Sequence, residues 1–129
     1  MYYNLSCDEF NCCVLGLEYF DRDSVAVELI NNFCDRLINQ NIVDNIFYSK
    51  KFSDCDCFSI NEAVELMEKS KVILYCFPER DKVSGIKKLI KDSAFWNQKL
   101  IVNALNVVYD GKESEDLVIN MIWDRKSNK

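Results

Sequence analysis

Histidine is absent from this sequence, and that absence removes more chemistry than any other feature of the composition. Without an imidazole the chain lacks the usual general base for a serine or cysteine nucleophile and the commonest zinc ligand. Hydrolytic and zinc-dependent readings therefore start weak. Long apolar runs are missing too: none approaches the ~20 residues needed to span a bilayer. The opening MYYNLSCDEF has neither the basic start nor the apolar centre of a secretory leader. An intracellular protein is expected. A sustained basic surface is also lacking, since the net charge is −5, which argues against autonomous binding to nucleic acid.

What is present suits one compact domain. The 129 residues are 49% hydrophobic, enough to bury a core without metals or disulfides as staples. The whole chain, 1–129, reads as a single α/β domain, with residues 1–10 and 124–129 expected at its periphery. The seven cysteines are Cys7, Cys12, Cys13, Cys34, Cys55, Cys57 and Cys76. Most sit inside apolar runs, where a thiol behaves as a small hydrophobe, so reduced, structural cysteines are expected. The pair in CDC, 55–57, lacks the spacing of a zinc site and has no second pair to complete it. No metal or other cofactor is expected.

Charge is unevenly spread. Residues 1–68 carry a net −9, residues 69–99 a net +5 and residues 100–129 a net −1. An acidic first half beside a basic middle suits docking against charged protein surfaces. A lysine-rich solvated helix face is the plainer account of the basic middle.

Along the chain, NCCVLGL (11–17) is a short apolar run ending at Gly16, as in a strand buried on both faces and central to its sheet. Asp21, Asp23 and Ser24 offer helix caps. After them Ala26, Leu29, Ile30, Phe33, Leu37 and Ile38 recur at helical spacing. Ile46, Phe47 and Tyr48 form the centre of a second strand, suited to an edge. SINE, Ser59 to Glu62, is a capping box opening a short helix to Lys69. KVILYCF (71–77) reads as a buried strand stopped by Pro78. A helix over KVSGIKKLIKDSAFW follows, with Lys87, Lys88 and Lys91 outward, and KLIVNAL (99–105) is a further strand. A turn at YDGKES precedes a last helix marked by Leu117, Val118, Met121 and Ile122, stopping near Trp123. Glu62, Glu65 and Glu68 stand at i, i+3 spacing, and ESED (113–116) opens the last helix, where acids favour the dipole; both read as solvated faces.

The order βαβαβαβα predicts a three-layer α/β sandwich with a mostly parallel sheet and right-handed crossovers. Ligands of such folds bind beyond the carboxyl ends of the strands. That directs attention to the loops after Gly16, Pro78 and Leu105.

The first of these loops invites comparison with a phosphate-binding loop, G-x-x-x-x-G-K-[ST]. Counting from Gly16, the second glycine falls on Asp21, the lysine on Arg22 and the hydroxyl on Asp23. Glu18, Asp21 and Asp23 bring carboxylates to where phosphate charge would sit. At 4 Å and an effective dielectric of 20 each like-charge pair costs about 4 kcal/mol, more than Arg22 alone offsets. A degenerate loop that holds no triphosphate is expected; a generic strand-to-helix turn with acidic caps is the plainer reading. After LIVNAL no Asn-Lys-x-Asp appears, so a guanine base has no acidic acceptor there.

Taken together, CCVLGLEYFDRDSVAVELINNF, NIFYSKKF, KVILYCFPERDKVSGIKKLI and DSAFWNQKLIVNAL resemble the centromere protein M family. These are kinetochore subunits with a small-GTPase-like fold that has lost nucleotide binding. The strongest element is DSAFWNQKLIV, where Asp92, Phe95, Trp96, Lys99 and Leu100 follow the family's Asp, paired aromatics, Lys and hydrophobic strand. The resemblance covers about residues 11–106 and implies a non-enzymatic scaffold at the nuclear centromere. Its implied partners are centromere protein I and the coiled-coil pair of centromere proteins H and K. The sequence departs from the family at NVVYDG and in ending one helix later, where the family adds a final strand and helix.

The order LGLEYFDRDS, helix, NIFYSKKF, SINEAVELMEKSKVILYCF is also similar to Toll/interleukin-receptor domains. Enzymatic members cleave NAD with a glutamate on the helix after the VILYCF-type strand. Here that helix has none, and Glu79 precedes it, so this resemblance implies an adaptor without NAD hydrolase activity. For either family the partner-binding candidates are the basic face of Lys87, Lys88 and Lys91 and the aromatics Phe95, Trp96 and Trp123; the core is the usual place of such aromatics, and an exposed one is a natural interface anchor.

Overall fold

The computed structural model of the chain describes residues 9–49, 60–76 and 99–127. Its first strand, β1 (Asn11–Leu15), is buried at all five positions, as a run without polar alternation requires. Gly16 ends it with φ 97°, a backbone conformation that costs glycine nothing and other residues a Cβ clash. A single 3-10 turn, Leu17–Tyr19, leads to α1 (Val25–Asn39).

Ser24 caps α1, its hydroxyl accepting from the Val27 N–H at 3.3 Å. Ala26, Ile30, Phe33, Cys34 and Leu37 form the buried stripe, while Ile38, expected inward, is exposed. The helix stops where Asn41 takes φ 58°, which turns the Ile42 N–H back onto the Leu37 carbonyl at 2.8 Å. β2 (Asn45–Tyr48), α2 (Ile60–Glu68) and β3 (Val72–Tyr75) follow. The expected capping box begins at Ser59, outside the described residues. So does the lysine-rich helix expected after Pro78.

The last described strand, β4 (Leu100–Asn103), is shorter than the expected 99–105. Asn103 ends it by capping α3 (Ala104–Asp110), its side chain accepting from the Asn106 N–H at 3.4 Å. Gly111, at φ 107°, separates α3 from α4 (Lys112–Ser127). The segment expected as a strand end and a turn is therefore helical, with Val107 and Val108 buried. α4 also outruns its expected stop at Trp123, and in its last turn the Lys126 ammonium donates to the Asn41 carbonyl at 2.9 Å. The expected margins shrink accordingly: Phe10 is buried, and its N–H donates to the Asp44 carboxylate at 2.8 Å.

The four strands form one parallel sheet in the order β2-β1-β3-β4. β1 is interior and β2 lies at an edge of the described sheet, as expected. On one face Cys12, Val14, Val72, Leu74, Leu100 and Val102 pack against α1, α3 and α4. On the other, Cys13, Leu15 and Ile73 pack against Ala63, Leu66 and Met67 of α2. Helices thus cover both faces, the three-layer arrangement that the element order predicts. Fully buried side chains such as Phe33, Leu37 and Ile122 each contribute about 1.5–3 kcal/mol.

Polar staples close the amino end of the sheet. Asn45 donates to the Asn11 side-chain carbonyl at 2.9 Å, and Asn11 donates to the Lys69 carbonyl at 3.3 Å. The Lys99 ammonium donates to the carbonyls of Met67, Glu68 and Ser70 at 2.6, 3.0 and 2.6 Å. A cation there complements the carbonyls gathered at the end of α2. On the outer side, Arg36 of α1 bridges Glu115 and Asp116 of α4, each at 2.7 Å.

Candidate functional site

In this strand order the chain leaves β1 toward β2 and then returns past it to β3. The reversal point lies at the carboxyl ends of β1 and β3, where open α/β sheets hold their ligands. Gly16 and Cys76 are the first residues past these two strands, and Ser49 is the first past β2.

Gly16 and Ser49 are joined within the chain. The Gly16 N–H donates to the Ser49 hydroxyl oxygen at 3.1 Å. That hydroxyl donates to Glu18, whose two carboxylate oxygens lie 2.8 and 3.0 Å away. Ser49 is only 6% exposed, and its backbone N–H extends the ladder to the Val14 carbonyl at 3.1 Å. Cys76 closes the other side, its N–H and thiol donating to the Leu15 carbonyl at 2.9 and 3.4 Å. A phosphate loop aims its first backbone amides at the anion. Here the first of them is bonded to a serine, with a carboxylate directly behind.

Asp21, Arg22 and Asp23, the other phosphate-loop positions, are exposed. Of the three carboxylates expected to fill the phosphate place, only Glu18 turns inward; Asp21 contributes a backbone carbonyl that accepts from the Ser24 N–H at 3.0 Å. The α1 N-terminus is already served by the Ser24 hydroxyl. The Gly16 amide, the Ser49 hydroxyl and the Glu18 carboxylate are thus spent on holding the loop in place.

The described cysteines offer no reactive thiolate. Burial pushes the Cys13 and Cys34 thiols from 9.0 to about 11. Burial, reinforced by the Glu18 carboxylate and Cys34, pushes Cys76 higher still, and Cys12 is likewise raised well above the ordinary thiol range. Neutral buried thiols are inert as nucleophiles. Among the described residues no group of three His, Cys, Asp or Glu side chains is placed to hold a metal ion. CDC at 55–57 lies outside them. None of the described helices is long and apolar enough to cross a membrane.

The docking candidates divide. Lys87, Lys88, Lys91, Phe95 and Trp96 lie outside the described residues. Trp123 is exposed on α4, with the Lys126 ammonium 5.4 Å from its ring centre. Because Lys126 reaches the α1–β2 turn, this part of α4 lies toward the amino end of the sheet, away from Gly16.

Sequence reasoning missed Ser49, Cys76 and the fixed role of Lys99. The only signal for Ser49 was its type and place, a hydroxyl just past a parallel strand. Lys99, which the resemblance singles out, anchors α2 from 32 residues away in sequence. Comparison of the chain with known protein families, with curated proteins and with solved structures finds no match.

Proposed function

We propose that this chain is a docking module that works by protein contact and binds no nucleotide. The observation that carries this reading is the Gly16–Ser49–Glu18 chain of hydrogen bonds, which occupies the place where a doubly wound fold would receive a phosphate. An incoming phosphate has to break that chain and meet a carboxylate, at a cost of about 4 kcal/mol per like-charge pair at close range.

The specific form implied by the first resemblance is a pseudo-GTPase scaffold of the inner kinetochore, nuclear, with centromere proteins I, H and K as partners. Strands and loops hold the fold, and a few exposed apolar or aromatic anchors such as Trp123 supply affinity. The second reading is a signalling adaptor similar to Toll/interleukin-receptor domains, acting by domain-to-domain contact without cleaving NAD. It is favoured by one feature, the exposed Leu117 and Met121 one turn apart on α4, which suit self-contact and which the kinetochore reading does not need.

Titration calorimetry with GTP or GDP and magnesium tests the shared claim. No saturable heat is expected up to millimolar nucleotide, on the order of a 4 kcal/mol binding limit. Micromolar binding overturns it. Mixing the chain with recombinant centromere proteins I, H and K separates the two forms: co-elution supports the scaffold, and its failure together with self-association supports the adaptor.

A further inference from the structure

α4 carries apolar residues on both of its sides, although only one side meets the core. Val118, Ile119 and Ile122 are buried, yet Leu117 is 63% and Met121 48% exposed. Leu117 and Met121 belong to a single row at i, i+4 steps, Glu113, Leu117, Met121 and Arg125, and all four are exposed. Residues at this spacing form one continuous ridge along a helix. From Glu113 to Arg125 the row rises twelve steps, about 18 Å at 1.5 Å each.

We propose that this row is a self-association surface, on which α4 of a second copy docks antiparallel across a two-fold axis between Leu117 and Met121. The order acid, apolar, apolar, base is complementary to itself when reversed. A copy turned end for end lays Leu117 against the partner's Met121, and Glu113 against the partner's Arg125, at both ends. A parallel copy sets acid on acid and base on base. Self-complementarity of this kind is the condition for a closed, isologous pair. The charges are available: among the described residues the ion pairs are those of Arg36 with Glu115 and Asp116, and neither Glu113 nor Arg125 takes part. Helix axes at 8–10 Å, a usual packing distance, let glutamate and arginine side chains meet. A uniformly basic partner helix satisfies Glu113 and opposes Arg125, so a second copy fits the row better. The patch is smaller than the ~800 Å² per partner of a stable complex, which sets the expected affinity in the upper micromolar range.

This inference does not rest on the closed nucleotide loop. Sedimentation velocity of the full chain, kept reduced and run from about 10 μM to about 1 mM, tests it in the range a small interface needs. The expected result is a monomer–dimer equilibrium. Glu113→Arg and Arg125→Glu each weaken it about tenfold or more, and an equimolar mixture of the two variants dimerises as well as the wild type. The double variant Leu117→Ser, Met121→Ser remains monomeric while its thermal melt stays near that of the wild type, because these side chains lie outside the core. A monomer at every concentration overturns the proposal. So does a dimer that the charge variants and the apolar pair leave unchanged, which assigns the contact to another surface.

Discussion

The loop after β1 and the outer face of α4 place their side chains in opposite senses. In the loop, polar groups turn inward and bond to one another: the Gly16 amide to Ser49, and Ser49 to Glu18. On α4, apolar groups turn outward, with Leu117 and Met121 exposed one turn apart. The first arrangement sits where the fold would ordinarily receive a ligand, and it leaves the first amide past β1 unavailable to one. The second sits on a helix that already fills its share of the core. In the proposed reading, interaction belongs to the flank of the domain and not to the end of the sheet.

The sharpest way to test that contrast is to truncate both sides of α4. Ile122→Ala, at a fully buried position, is expected to cost about 3 kcal/mol of stability, while Leu117→Ala changes it by no more than about 0.5 kcal/mol. Urea unfolding at low protein concentration measures both. Equal losses would mean that Leu117 is a core residue and that α4 has no free face.

The loop is probed by Ser49→Ala, which leaves the Gly16 amide without its acceptor and Glu18 without its donor. A loss of about 2 kcal/mol is expected, accompanied by faster hydrogen exchange of the Gly16 amide. Wild-type exchange at that amide would show the bond to be dispensable.

Alkaline pH gives a smaller effect per group. The Cys13 and Cys34 thiols rise from 9.0 to about 11 on folding. Between those values the unfolded chain has lost protons that the native protein keeps, so stability falls as pH rises through the window. The loss is about 1 kcal/mol per buried thiol at pH 10. Melting temperatures from pH 8 to pH 10.5 would follow it, and replacing Cys13 and Cys34 with alanine should flatten the slope even though the baseline drops. A slope unchanged by that replacement would place its origin elsewhere.

The parts of the fold legible in the sequence were those governed by local pattern. NCCVL and VILY are short apolar runs without alternation, and both became buried parallel strands. Ser24 stood immediately before a helical stripe and became its cap. The boundary in LIVNALNVV was hidden because strand and helix adjoin without a break in apolarity; only Asn103, accepting from the Asn106 N–H, divides them. Ser49 was invisible as a site residue because its hydrogen bond to Gly16 spans 33 positions, a relation fixed by the pairing of β2 with β1. Asp21 and Asp23 looked like obstacles to phosphate because counting along a chain does not tell which side chains face inward. Glu18 does so because the 3-10 turn that begins after Gly16 carries it back toward β2.

The account's central claim concerns Gly16, Ser49 and Glu18, and amide NMR of the full chain titrated with magnesium and GTP reads it residue by residue. The account predicts that the Gly16 and Ser49 amide signals keep their positions to millimolar nucleotide, because their partners are already within the chain. A saturable shift of those two signals, with Glu18 released from Ser49, would contradict it.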